Sequence, residues 1–101
     1  MGRAAREKPL RLAEKLREIR EGLQLSQDGI LIRLGYRDSQ ITRAHISAYE
    51  LGKNEPSLLV LYAYAKAANI YADVLLDDDL DLPVLIPSNE KSTGRKRRTE
   101  T

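Results

Sequence analysis

Residues 25–54, LSQDGILIRLGYRDSQITRAHISAYELGKN, decide the fold of this chain. They predict two short helices joined by a turn. Ser26 can cap the first helix, because its side chain can accept a hydrogen bond from the free N–H groups of a first turn. Gly35 is a typical helix stop. Thr42 and Gly52 predict the start and the end of the second helix by the same reasoning.

The second helix has two different faces. Ile46 and Tyr49 share an inward face, as their helical spacing indicates. The opposite face carries mostly small or polar side chains, which suits a surface that enters the groove of a duplex. These residues are Arg43, Ala44, Ser47, Ala48 and Leu51.

Two helices in this arrangement are typical of a helix-turn-helix. The stretch resembles the DNA-binding domain of the phage repressor and Cro family, also called the XRE type, and the resemblance covers residues 10–77. Residues 36–40 are additional to the short turn of that family. The matching positions are Leu25-Ser26-Gln27, Leu34-Gly35, Ile41-Thr42-Arg43, Ile46-Ser47, Glu50, Gly52-Lys53, Pro56-Ser57-Leu58, Leu61, Ala65-Lys66-Ala67, Asp73 and Leu75-Leu76.

The resemblance implies an all-α, five-helix lambda-repressor-like domain, for which 101 residues suffice. We expect a mobile basic arm over residues 1–8 and the helix-turn-helix domain over 9–77. An extended apolar strap should follow over residues 78–87. Residues 88–101 are polar and basic, which predicts a disordered tail.

Charge is distributed unevenly around the net value of +2. Residues 57–90 carry five more acidic than basic residues, so we expect this block to face away from a phosphate backbone. The chain has no Cys and a single His, which excludes thiolate metal sites, and we expect no cofactor. No apolar run is long enough to span a membrane, and a cytoplasmic, nucleoid-associated protein is the expectation.

Base contacts are expected from the second helix of the motif. Arg43 can donate twice to the O6 and N7 atoms of a guanine. Ala44 and Ala48 could meet thymine methyl groups, and Ser47 could bond to almost any base.

Phosphate contacts are expected around the same helix. Gln27 lies at the first turn of the preceding helix, where an amide and free N–H groups can bind a phosphate. For three candidates a role without phosphate contact is the alternative. Gln27 could be simply solvated, Arg37 could lie in an ordinary loop, and His45 could be a partly buried helix residue. The full set of candidates is Gln27, Arg37, Thr42, His45, Lys53 and Asn54.

The family resemblance also implies an ion pair between Arg20 and Glu50. Arg20 lies six residues before Ser26, and Glu50 lies at the end of the predicted recognition helix. A guanidinium suits a bidentate pairing of this kind. Two unrelated surface charges are the alternative.

A fourth helix, from Ser57 to Ala68, is apolar on two faces, which indicates deep burial or an interface. We expect a homodimer contact on its second face and on the strap, through Val60, Tyr64, Tyr71, Leu82 and Leu85. The run Asp77-Asp78-Asp79 with Asp81 lacks the glycine and glutamate of an EF-hand loop, so we expect a solvated acidic turn.

These features favour a sequence-specific double-stranded DNA-binding transcriptional regulator, a repressor that acts as a homodimer on a palindromic operator. The alternative is an antitoxin-like interaction module that neutralises a partner protein and autoregulates its operon. That alternative would bind its partner through the strap at residues 80–87 and the apolar second face of the fourth helix. An enzyme is disfavoured, because neither a Cys nucleophile nor a phosphate-cradling glycine loop is present.

Overall fold

A computed structural model describes residues 8–36 and 40–97, and this part of the chain is mainly helical. Its helices are α1 (Leu12–Gly22), α2 (Gln27–Arg33), α3 (Arg43–Glu50), α4 (Leu58–Ala68) and α5 (Asp73–Leu76). Two short strands, β1 (Leu80–Asp81) and β2 (Arg95–Lys96), pair antiparallel with Leu80 opposite Lys96. Within the described ranges, no helix has the length and apolar character needed to cross a membrane.

Local capping fixes the helix ends that the sequence predicts. The Ser26 hydroxyl accepts the N–H of Gly29 at 2.9 Å, and the Ser57 hydroxyl accepts the N–H of Val60 at 3.3 Å. Asn69 ends α4 in the left-handed conformation, with φ of 58°. Short polar side chains tolerate that conformation better than other non-glycine residues.

The core is one cluster of apolar side chains to which all five helices contribute. Leu16 and Ile19 of α1, Ile46 of α3 and Tyr64 of α4 are completely buried. Burial of each such side chain is worth about 1.5–3 kcal/mol. Because α3 packs against both α1 and α2, this core fixes its orientation.

The acidic turn is a structural clasp, which corrects the expectation of a solvated turn. The Asp78 carboxylate accepts the N–H groups of Leu10 and Arg11 at 2.9 and 3.1 Å. The Arg11 guanidinium in turn donates to Asp81 at 2.6 Å. The turn therefore binds the backbone directly before α1, which begins at Leu12.

Lys15 lies in the middle of this arrangement and is completely buried. Its Nζ donates to the carbonyl oxygens of Val74 and Asp77 at 2.8 and 2.9 Å, one within α5 and one directly after it. Burial lowers the pKa of Lys15. A buried ammonium thus joins α1 to α5.

The expectation of a disordered tail is wrong for residues 88–97. The N–H of Ser88 donates to Ala68, the N–H of Tyr71 to Ser92 and the N–H of Arg97 to Asp79, at 3.0, 3.0 and 2.7 Å. The segment is ordered because its backbone groups find partners at the end of α4 and in the acidic turn. Residues 98–101 and residues 1–7 of the predicted arm lie outside the described residues.

The predicted strap is half buried and half exposed. Leu82 is buried, and Ile86 packs so closely on Gly22 that a Cβ there would lie 3.0 Å from the Ile86 Cβ. Val84 and Leu85 are exposed. The strap therefore covers the end of α1 with one side and leaves two apolar side chains in solvent.

Candidate nucleic-acid interface

The candidate recognition surface is the outer face of α3. Ile46 and Tyr49 point into the core, as their spacing predicts. The base-reading candidates lie on the other side of the helix. Arg43 and Ala44 are exposed, and Ser47 and Ala48 are partly exposed.

The inner side of α3 is held by an ion pair with α1. Arg20 donates from Nε to Oε2 of Glu50 at 2.7 Å and from Nη2 to Oε1 at 3.0 Å. The two side chains are 15% and 5% exposed. This hydrogen bonding to Glu50 raises the pKa of Arg20, and Nη1 of Arg20 also donates to the carbonyl of Leu25 at 3.0 Å.

Gln27 joins the same network from the first turn of α2. Its Nε2 lies 3.3 Å from Oε1 of Glu50, at the long end of hydrogen-bond distances. Glu50 therefore links α1, α2 and α3. The Gln27 amide therefore helps to orient α3, a role beyond the phosphate contact predicted from the sequence.

A histidine caps the start of α3. The N–H of Thr42 donates to Nδ1 of His45 at 3.0 Å. Because a nitrogen that accepts this bond carries no proton, the neutral ring is protonated at Nε2. His45 is exposed rather than partly buried, so its Nε2–H is a candidate donor to a phosphate.

A cleft of about 580 Å³ lies beside the end of α3. Lys53 and Asn54, two phosphate candidates, are exposed there, and Lys8 and His45 line the same cleft. The structure thus brings three of the phosphate candidates together with a further lysine. Thr42 is exposed at the start of the helix, and Arg37 lies outside the described residues.

A second charged contact lies on the outer face. Nη1 of Arg43 is 3.9 Å from Oδ2 of Asp28, and each side chain is 67% exposed. Asp28 belongs to the first turn of α2. Helical spacing and capping patterns in the sequence give no signal for this contact of Asp28.

The predicted dimer contact is wrong for three of its five residues, because their side chains are not accessible to a partner. Val60, Tyr64 and Leu82 are buried inside a single chain, because α4 turns the first two toward the core and Leu82 of the strap packs into the same core. Tyr71 and Leu85 are exposed. The apolar side chains that α4 presents to solvent are Leu58, Leu59 and Tyr62.

Comparison with known proteins agrees with this geometry. A family model described as helix-turn-helix matches residues 16–75, which is more than half of the chain. No curated protein and no solved structure matches the chain. The matched residues include α2, α3 and the Arg20–Glu50 pair between α1 and α3. The chain therefore belongs to the helix-turn-helix family of the phage repressor and Cro (XRE) type, a family of DNA-binding regulators.

Proposed function

We propose that this protein is a transcriptional repressor that binds a palindromic operator as a homodimer. The observation that carries the proposal is the arrangement of α3. Its inner side is fixed by the buried Arg20–Glu50 pair, whereas its outer face is free of covering structure in the described part of the chain. A rigidly held helix with a small, polar outer face is what entry into a major groove requires.

Base readout is assigned to the four outer residues of α3. Arg43 donates to a guanine through its planar fork. Ala44 and Ala48 contact thymine methyl groups, and the Ser47 hydroxyl adds a polar contact. The small side chains at these three positions let the helix approach the base edges closely.

Phosphate contacts are assigned to the two ends of α3. Thr42 serves from the start of the helix, and His45, Lys53 and Asn54 serve from the cleft beside its end. These contacts fix the register of the protein on the duplex without reading sequence. Gln27 and Arg37 stay predictions from the sequence; Gln27 has one amide hydrogen left for a phosphate after its contact with Glu50.

We assign the dimer contact to the outer face of α4, with a second copy of this chain as the occupant. Leu58 and Leu59 are 79% and 73% exposed and Tyr62 lies on the same face, so the patch is apolar. Exposed apolar patches on small proteins mark interaction sites. Since α4 follows α3 after a short connection, a partner on this face brings a second recognition helix close. A twofold dimer then reads half-sites about 34 Å apart, one turn of B-DNA.

Selection from a randomised duplex library tests the proposal. We expect enrichment of an inverted repeat and a footprint that covers both half-sites. Failure to enrich any sequence would contradict the regulator assignment.

The dimer contact has its own test by sedimentation. Leu59→Glu should convert the dimer to monomers, because it places a charge in the proposed contact. Val84→Glu is the matched control, since Val84 is equally exposed on the strap. Dissociation by Val84→Glu but not by Leu59→Glu would move the contact to the strap.

A further inference from the structure

The carboxylate of Asp28 lies beside the guanidinium to which base readout is assigned. The Arg43 Nη1 and Asp28 Oδ2 atoms are 3.9 Å apart, and both side chains are largely in solvent. An exposed ion pair of this length adds little to folding stability. The pair lies on the proposed recognition surface, between the first turns of α2 and α3. That position suits a role in DNA binding rather than in folding.

We propose that Asp28 is a positioning residue for Arg43, which makes guanine recognition by this side chain more selective. The inference rests on the proposed function, because it requires Arg43 to meet a base. A guanidinium presents five N–H donors in a fixed fork. Guanine O6 and N7 accept two of them, so donors on the remaining edges are left for a carboxylate.

The orienting effect follows from this division of donors. A free arginine side chain has many rotamers, and most of them aim the fork away from a given base. A carboxylate within about 4 Å favours the rotamers that keep the guanidinium between Asp28 and the groove. Arg43 therefore loses less side-chain freedom when it binds guanine.

Asp28 also acts against incorrect sites. A carboxylate close to phosphates and to the acceptor atoms of base edges is repelled. Where Arg43 binds guanine, its charge lies between the carboxylate and the duplex and offsets that repulsion. On other sequences the repulsion between Asp28 and the duplex is not offset, so binding there is weaker. Selective interfaces commonly contain a repulsive contact of this kind.

Glu50, the other carboxylate of the motif among the residues that the structure describes, cannot orient Arg43 in this way. Glu50 is buried and already bound by Arg20 and Gln27. Asp28 has the opposite surroundings, since it is exposed and faces the outer side of α3.

A double-mutant cycle tests the proposal on the duplex that the wild-type protein selects from a randomised library. Wild type, Asp28→Asn, Arg43→Ala and the double variant are titrated against that duplex, against duplexes in which each guanine is replaced in turn, and against a scrambled duplex. Asp28→Asn should bind the scrambled duplex several-fold more tightly. It should lose about fivefold to tenfold of the discrimination at the guanine that Arg43→Ala also affects. The double variant should discriminate no worse than Arg43→Ala alone.

Asp79→Asn is the matched control, because it removes one exposed negative charge in the acidic turn. It should change binding to the selected and the scrambled duplex by the same factor. Asp28→Ser is a second charge-removing variant, and circular dichroism verifies that each variant is folded.

The outcomes separate the two proposals. Wild-type discrimination in both Asp28 variants would overturn the positioning role and leave the regulator assignment intact. Additive effects of Asp28→Asn and Arg43→Ala would overturn it in the same way. Selection of no sequence by the wild-type protein would overturn both.

Discussion

Arg20 and Glu50 join α1 to α3 through two hydrogen bonds, of 2.7 and 3.0 Å. The Glu50 side chain is almost completely buried, so its oxygens find hydrogen-bond donors in the protein rather than in water. A planar guanidinium that meets both carboxylate oxygens fixes direction as well as distance. The pair therefore sets the orientation in which α3 presents its outer face.

Arg20→Ala should lower the free energy of unfolding by about 3 kcal/mol, because it strands the buried Glu50 carboxylate. Urea unfolding measures the change. Arg17→Ala is the control, since the Arg17–Glu21 pair is exposed on the same helix and should contribute less than about 1 kcal/mol. Equal losses in the two variants would contradict the structural role of Arg20.

Tyr64→Phe should leave stability unchanged or raise it by about 1 kcal/mol. The Tyr64 hydroxyl is buried, and no hydrogen-bond partner for it occurs among the described residues. Burial also raises the pKa of Tyr64 above its usual value, so the hydroxyl stays protonated. Thermal unfolding provides the test, and a loss of 1 kcal/mol or more would show that the hydroxyl is bonded in solution.

Gly94→Ala tests the order of the C-terminal segment. Gly94 has φ of 81°, and a Cβ there would lie 2.7 Å from the Asp81 carbonyl oxygen and 3.0 Å from Val74. Gly35→Ala is a matched control, because Gly35 has φ of 89° but nothing within 4 Å of such a Cβ. Both variants carry backbone strain of about 1 kcal/mol. Gly94→Ala should cost clearly more in urea unfolding, and equal costs would indicate that residues 88–97 do not pack as described.

Acid should weaken the clasp at the start of α1. The N–H groups of Leu10 and Arg11 lower the pKa of Asp78, and the Arg11 guanidinium lowers the pKa of Asp81. Because the unfolded carboxylates bind protons more readily, this stabilisation is complete above their unfolded pKa of about 3.9 and is lost as the pH falls through the folded pKa values.

The double variant Asp78→Asn, Asp81→Asn should therefore be less stable near neutral pH and lose less stability below about pH 4 than the wild type. Urea midpoints measured across a pH series give both quantities. Asp79→Asn should leave the shape of the pH curve unchanged, because no contact of the Asp79 carboxylate is part of the clasp. Parallel curves for the double variant and the wild type would contradict the clasp.

The helices α2, α3 and α4 were predictable because their start and stop signals are local. Ser26, Thr42 and Ser57 precede helices, while Gly35, Gly52 and Asn69 follow them, and each acts within one turn of the chain. The inward positions of Ile46 and Tyr49 follow from helical spacing alone. The Arg20–Glu50 pair was expected from the family resemblance, and the structure contains it.

The predictions that were wrong depend on how each segment packs against distant parts of the chain. Helix α4 is apolar nearly all round, so its spacing could not show that Tyr64 faces the core while Leu59 faces solvent. The polar segment at 88–97 carries no local strand signal, and its order depends on backbone partners about 20 residues earlier, such as Ala68 for Ser88. The burial of Lys15 could not be predicted either, because its ammonium binds the carbonyl oxygens of Val74 and Asp77, about 60 residues later in the chain.

The central claim is that the outer face of α3 reads base edges, and a competition titration of Arg43→Ala tests it most directly. The probe is the duplex selected by the wild-type protein, with a scrambled duplex of equal length and composition as competitor. We expect Arg43→Ala to lose about 1–3 kcal/mol of binding free energy on the selected duplex and little on the scrambled one. Equal losses on both duplexes would mean that Arg43 contacts only phosphates, and would contradict base readout by this side chain.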